Sequence, residues 1–170
     1  ALSQLVTEGD DRRLLIAVDR VPPLGYQLLP WAVAAAAPDD GPDGALTITP
    51  ELLENRFFRI ALNARGQIAA LWDKRAGRDV LSPGARANVL QAFTDKPMAF
   101  DAWDIDIYYQ ESLREVDELL SCEVEERGPL RASLLLRWRF HSSLITQRLT
   151  LYRDEPRIDF RTEVDWREGQ

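Results

Sequence analysis

One cysteine and one histidine in 170 residues remove several chemistries at once. Cys122 alone can form no internal disulfide, and nothing else points to an oxidising compartment. It reads as a small residue packed in a strand rather than as a catalytic thiol. With His141 as the only imidazole, a zinc site of the usual kind lacks ligands, and no metal site is expected in the chain itself. A Ser-His-Asp triad would have to use His141, which stands in "WRFHSSL" and reads as a mid-strand residue on the polar face opposite Trp138 and Phe140. No Gly-rich phosphate loop occurs. No apolar run is long enough for a membrane span, and "ALSQLVTEGDDRR" is no signal peptide. Basic clusters are missing too. The net charge is −7 and the arginines are scattered among acids, which argues against nucleic acid or an anionic membrane as partner. These absences together read as a cytoplasmic protein.

What is present is mostly strand. "RRLLIAVD" and "YQLLPWAVAAA" are apolar runs separated by "RVPPLG", where Pro22, Pro23 and Gly25 force a turn. "APDDGPDG", Ala37 to Gly44, reads as a linker, so residues 1–44 are taken as the end of a small β unit plus linker. Residues 45–170 form the main domain. There the alternation is clear. Phe58, Ile60 and Leu62 fall on one face, as do Leu134, Leu136, Trp138 and Phe140, and as do Ile158, Phe160, Thr162, Val164 and Trp166. In "ARG", Gly66 supplies the positive φ that a tight turn asks for. "VDELLSCEVEER" has helix-forming residues but alternates, and is read as a strand. The expected fold is all-β, a large antiparallel sandwich from about Thr47 onward. Its core should hold Phe58, Ile60, Leu62, Leu134, Leu136, Trp138, Ile158, Phe160 and Val164, and truncating a core Phe160 to Ala should cost about 3–5 kcal/mol.

The chemistry-bearing stretch is "DKPMAFDAWDIDIYYQE", residues 95–111, where Asp101, Asp104 and Asp106 stand among Phe100, Trp103, Tyr108 and Tyr109. Carboxylates framed by aromatics suit a sugar site. Glycosidases usually pair two carboxylates about 5–10 Å apart. If "WDIDIYY" is extended, Asp104 and Asp106 share a face at roughly 7 Å. Acids alternating on a wetted strand are common, so solvated face or turn cap stands beside sugar contact as a reading. The stretch follows "DKP" in an expected loop, where function concentrates.

From Leu53 onward the chain resembles the C-terminal β-sandwich region of glycoside hydrolase family 38, the α-mannosidases. The likeness rests on "LENRFFRIALNARGQIAALWDKRAGRDVL", "GARANVLQAFTDKP", "DAWDIDIYY" and "LYRDEPRIDFRTEVDW", in family order, with "VPPLGYQLLP" resembling the segment that leads into them. The motifs look more like the bacterial and cytosolic-type branch than the secreted one. The resemblance implies a parent that hydrolyses terminal α-mannosidic bonds with retention. It also implies a nucleophile and a zinc ion in an upstream barrel and adjoining helical segment, neither of which is in this sequence. The chain is then expected to be a fragment, incomplete at its C-terminal end, with no catalytic residue or cofactor of its own. Its expected partners are the barrel of the same polypeptide and α-mannosides, and the apolar patch bared by truncation should favour self-association. Asp101, Trp103, Asp104 and Asp106 are the pocket-lining candidates. A free-standing carbohydrate-binding module and a mutarotase-like enzyme are the alternatives, the latter disfavoured by the lone histidine. The mutarotase-like supersandwich is the implied architecture, by analogy only.

Overall fold

The computed structural model describes residues 2–8, 11–18, 20–29, 46–100 and 102–169. Alternating side chains and tight turns produce thirteen antiparallel strands among them: β1 Ser3–Glu8, β2 Asp11–Ile16, β3 Leu46–Thr49, β4 Leu52–Asn55, β5 Phe58–Leu62, β6 Ile68–Asp73, β7 Arg78–Asp79, β8 Gln91–Ala92, β9 Arg114–Glu115, β10 Glu118–Glu126, β11 Arg131–Phe140, β12 Ser143–Tyr152 and β13 Ile158–Asp165. One short 3-10 helix spans Ile107–Ser112. The expected linker, Ala37 to Gly44, lies outside the described residues. Of "YQLLPWAVAAA", Tyr26 to Leu29 are exposed and form no strand.

Two sheets make the sandwich, β3-β4-β5-β6-β7 and β10-β11-β12-β13, each in sequence order. Leu53, Ile60 and Ile68 from one sheet meet Leu134, Leu136, Trp138, Leu149 and Leu151 from the other. Phe58 and Leu62 join them, as the alternation requires. Gly66 takes φ +73° in the turn between β5 and β6. A Cβ there would stand 2.7 Å from Leu136 and 2.8 Å from Trp138, whose indole donates to the Arg65 carbonyl at 2.7 Å. Buried Asn55 ties the sheets together. Its Oδ1 accepts from the amides of Phe57 and Phe58, and its Nδ2 donates to the Tyr152 carbonyl at 2.7 Å.

The far edge departs from expectation. Phe160 and Val164 are exposed, at 44% and 55%, and Ile158 is half-buried. Their face is the expected one, since Phe160 pairs with buried Leu149 and Val164 with buried Ile145. The opposing sheet packs over β10, β11 and β12. It stops short of β13, so the apolar row is aligned with the core without being covered. His141 is corrected as well. It is the first residue of the two-residue turn between β11 and β12, with φ +50°, not a mid-strand residue.

The hairpin β1–β2 pairs only within itself but plugs into the sandwich. Gln4 Oε1 accepts from the amides of Leu130 and Arg131 at 2.9 Å each, and its Nε2 donates to the Arg131 carbonyl and to Glu126. Gly128 leaves room for it, since a Cβ there would sit 2.2 Å from the Gln4 amide carbon.

Candidate functional site

The two-residue strands β8 and β9 form a small ribbon, with Ala92 opposite Arg114 and Gln91 opposite Glu115. Alternation sends the two β9 side chains opposite ways. Glu115 turns inward and accepts from Arg86 at 2.7 and 2.9 Å, which holds its carboxyl below the usual carboxylate range. Arg114 turns outward, and among the described residues its side-chain contact is with His141, not with an acid.

Between β8 and β9 runs the loop of residues 93–113. Its base is fixed: Ser112 Oγ accepts from the Thr94 amide at 2.8 Å, and Phe93 packs edge-on against Tyr109 at 5.1 Å. Most of its other described residues stand in solvent. Phe100 has φ +60°, and its carbonyl accepts from the amides of Trp103 and Asp104 at 3.0 and 2.9 Å. Met98, Phe100, Trp103, Ile105, Ile107 and Tyr108 are all exposed, Met98 at 90% and Trp103 at 85%. Such a set of large apolar side chains in water is unusual for a monomer surface.

Of the pocket candidates, Asp101 lies outside the described residues. Trp103 and Asp104 are exposed at the tip and Asp106 is half-exposed. "WDIDIYY" is not an extended strand. The chain turns at Trp103 and enters the 3-10 helix at Ile107, so the strand on which the expected spacing of Asp104 and Asp106 rests does not form. Asp106 occupies the N-cap position of that helix without a side-chain cap hydrogen bond. No three His, Cys, Asp or Glu side chains converge to hold a metal ion among the described residues, so no donor set for the implied zinc is found there.

Beside the loop base is a cleft of about 720 Å³. Its walls come from distant parts of the sequence: Phe93 to Pro97 and Ser112 at the loop base, Arg114 on β9, Phe140 and His141 at the β11–β12 turn, and Trp166, Glu168 and Gly169 after β13. Phe140 stacks under Trp166, 5.7 Å between centroids and 15° between planes, and touches His141 edge-on at 4.5 Å. Arg114 Nη1 is 3.4 Å from His141 Nε2. Arginine can only donate, so a hydrogen bond between them makes Nε2 the acceptor and requires the tautomer that carries its proton on Nδ1. Glu168 Oε1 accepts from Ser143 Oγ and the Ser142 amide, both at 2.8 Å, and this holds the carboxyl below its usual range. Sequence reading did not assemble this cleft. Four separate segments build it, and the one legible sign was an aromatic at each of positions 140 and 166 on strand faces.

Comparison with known proteins places the region that carries both features. The family model of the glycosyl hydrolases family 38 C-terminal domain matches residues 53–170. Alpha-mannosidase G of Dictyostelium discoideum is 30% identical over 124 residues, 69% of this chain and 11% of that protein. Alpha-mannosidase 2C1 of Homo sapiens is 30% identical over 129 residues, 75% of this chain and 12% of that protein. The chain thus spans about one-ninth of the length of these curated relatives.

Proposed function

Because this chain belongs to the glycosyl hydrolases family 38 as its C-terminal domain, we propose that it is a non-catalytic sandwich portion of a retaining α-mannosidase that hydrolyses terminal α-mannosidic bonds. The loop of residues 93–113 packs on the catalytic barrel of the same polypeptide and closes one side of the sugar pocket. The observation that carries this reading is the loop itself. Its base is pinned by hydrogen bonds while six large apolar side chains at its tip have no cover among the described residues. Burying apolar surface of this kind is worth roughly 25 cal/mol per Å², which favours covering the loop with another domain. Asp101 and Asp104 would accept hydrogen bonds from sugar hydroxyls, Trp103 would offer a flat apolar face, and Asp106 is the remaining pocket-lining candidate.

In this reading the nucleophile and the zinc belong to the parent's other parts, and one histidine and one cysteine are too few for a zinc site of the usual kind here. The isolated chain should leave an aryl α-mannoside unhydrolysed and should retain no zinc after dialysis against a mild chelator. We place the parent in the cytoplasm on the likeness of the motifs to the cytosolic-type branch.

The test uses the parent enzyme. Asp104→Asn removes a charge-assisted hydrogen bond worth about 1.5–3 kcal/mol, so kcat/KM should fall roughly ten- to hundredfold. Zinc content and fold should stay intact. In the isolated chain the same change should leave the melting temperature unmoved, because the carboxylate faces water. Normal kcat/KM together with a lowered melting temperature would make the loop scaffold and end this reading.

A further inference from the structure

The cleft shares Phe93 to Pro97 and Ser112 with the base of the loop, but the reading above assigns it no role, and its chemistry is specific. Its volume falls in the range of small-ligand sites, which are apolar walls with a few convergent polar groups. The wall here is Trp166 backed by Phe140. The polar groups are of both kinds. Asp95 and Glu168 offer carboxylates, and Lys96 and Arg114 offer donors without acidic partners among the described residues. His141 offers Nδ1–H once Nε2 is engaged. Two negative and two positive charges balance, so no net charge favours an ion of either sign. A neutral molecule with one flat apolar face and several hydroxyls matches it.

His141 gives a second, independent sign. At φ +50° it fills a turn position that Gly or Asn occupies with less strain, and left-handed non-glycine residues collect at functional sites. Its placement sets the imidazole between Phe140 and Arg114 at the cleft.

We infer that this cleft is a hexose-binding site built by this chain alone, separate from the Trp103–Asp106 loop. The pyranose ring stacks on the open face of Trp166. Glu168 Oε2, which has no hydrogen-bond partner among the described residues, accepts from a hydroxyl, and Arg114 and His141 Nδ1 donate to others. Asp95 and Lys96 close the rim.

The experiment follows the indole N–H resonances of the isotopically labelled chain during titration with methyl α-D-mannopyranoside. The Trp166 signal should shift saturably. That of Trp138, buried and bonded to the Arg65 carbonyl, should stay still. Trp166→Ala should weaken binding at least about tenfold, read on backbone amides of Ser142 and Ser143. Arg114→Gln, an exposed change that leaves the fold alone, should weaken it about fivefold or more. His141→Gly should lose affinity while keeping or raising the melting temperature, since it relieves the turn. No saturable shift, or unchanged affinity in both Trp166→Ala and Arg114→Gln, would overturn the site. So would a shift at Trp103 without one at Trp166, which would place the sugar on the loop. Saturation by sodium phosphate but not by the hexoside would mean an anion site and would likewise end the proposal.

Discussion

Leu149 and Phe160 face each other across β12 and β13, on the same side of the sheet, yet one is fully buried and the other 44% exposed. Leu149→Ala should therefore cost about 2–5 kcal/mol. Phe160→Ala, with nearly half its surface already in water, should cost about 1–2 kcal/mol, well below the value for a core phenylalanine. Urea unfolding of both variants checks the order. Gly66 lies at the other extreme of tolerance. Gly66→Ala puts a side chain at φ +73° and drives a methyl into Leu136 and Trp138, so about 2–4 kcal/mol should be lost. Cys122 is set by burial, which raises its thiol to about 11, with Glu51 and Glu123 adding to the effect. Thiolate is the reactive form, so maleimide labelling at pH 7 should be far slower than that of an exposed cysteine peptide. Labelling at the peptide's rate would show the thiol to be free of that environment.

At the level of strands and loops, what could be read from residues alone follows a physical division. Period-two alternation is local, so β5, β11 and β13 and their inward faces were legible, as was the strand character of "SCEVEE". Gly66 announced its turn for the same reason, because backbone freedom belongs to the residue itself. Cover is not local. Nothing in "RIDFRTEVDW" says that the opposing sheet ends before it arrives, and so Phe160 and Val164 looked like core. His141 misled because "WRFHSSL" continues an apparent alternation through a two-residue turn that carries no glycine. The loop of residues 93–113 was recognisable as unusual by composition, but its turn at Trp103 and its 3-10 helix depend on Phe100 adopting a left-handed backbone that aromatic residues seldom take. The cleft was illegible because its members are neighbours only after folding.

Over the whole molecule, acids outnumber bases and many are tied down. Glu115 is held below its ordinary 4.5 by hydrogen bonds from Arg86, Glu118 by Arg139, Glu125 by Arg148, and Glu168 by Ser143. Asp73 and Asp165 are lowered from 3.8, by the Ala76 amide and by Arg167. A carboxylate whose folded value is depressed contributes stability that is complete above its unfolded value and is lost as pH falls through the folded one. The melting temperature should hold level from pH 7 to about 5 and drop below about 4.5, with added salt shrinking the effect because most of these groups meet solvent. A melting temperature that rises on acidification would contradict this. The bare apolar loop should also make the isolated chain associate with concentration, visible by sedimentation and reduced by Trp103→Ser.

The Gln4 peg also bears on time. Strands β10 to β13 are each paired with their neighbours in sequence, through short turns that close quickly. Gln4 meets Leu130 across a separation of 126 residues, so its bonds can form only after the sandwich has brought its β10–β11 turn into being. The hairpin that begins the chain is then a late arrival in folding. It should also be an early departure under stress, exchanging its amide hydrogens sooner than β11 or β12.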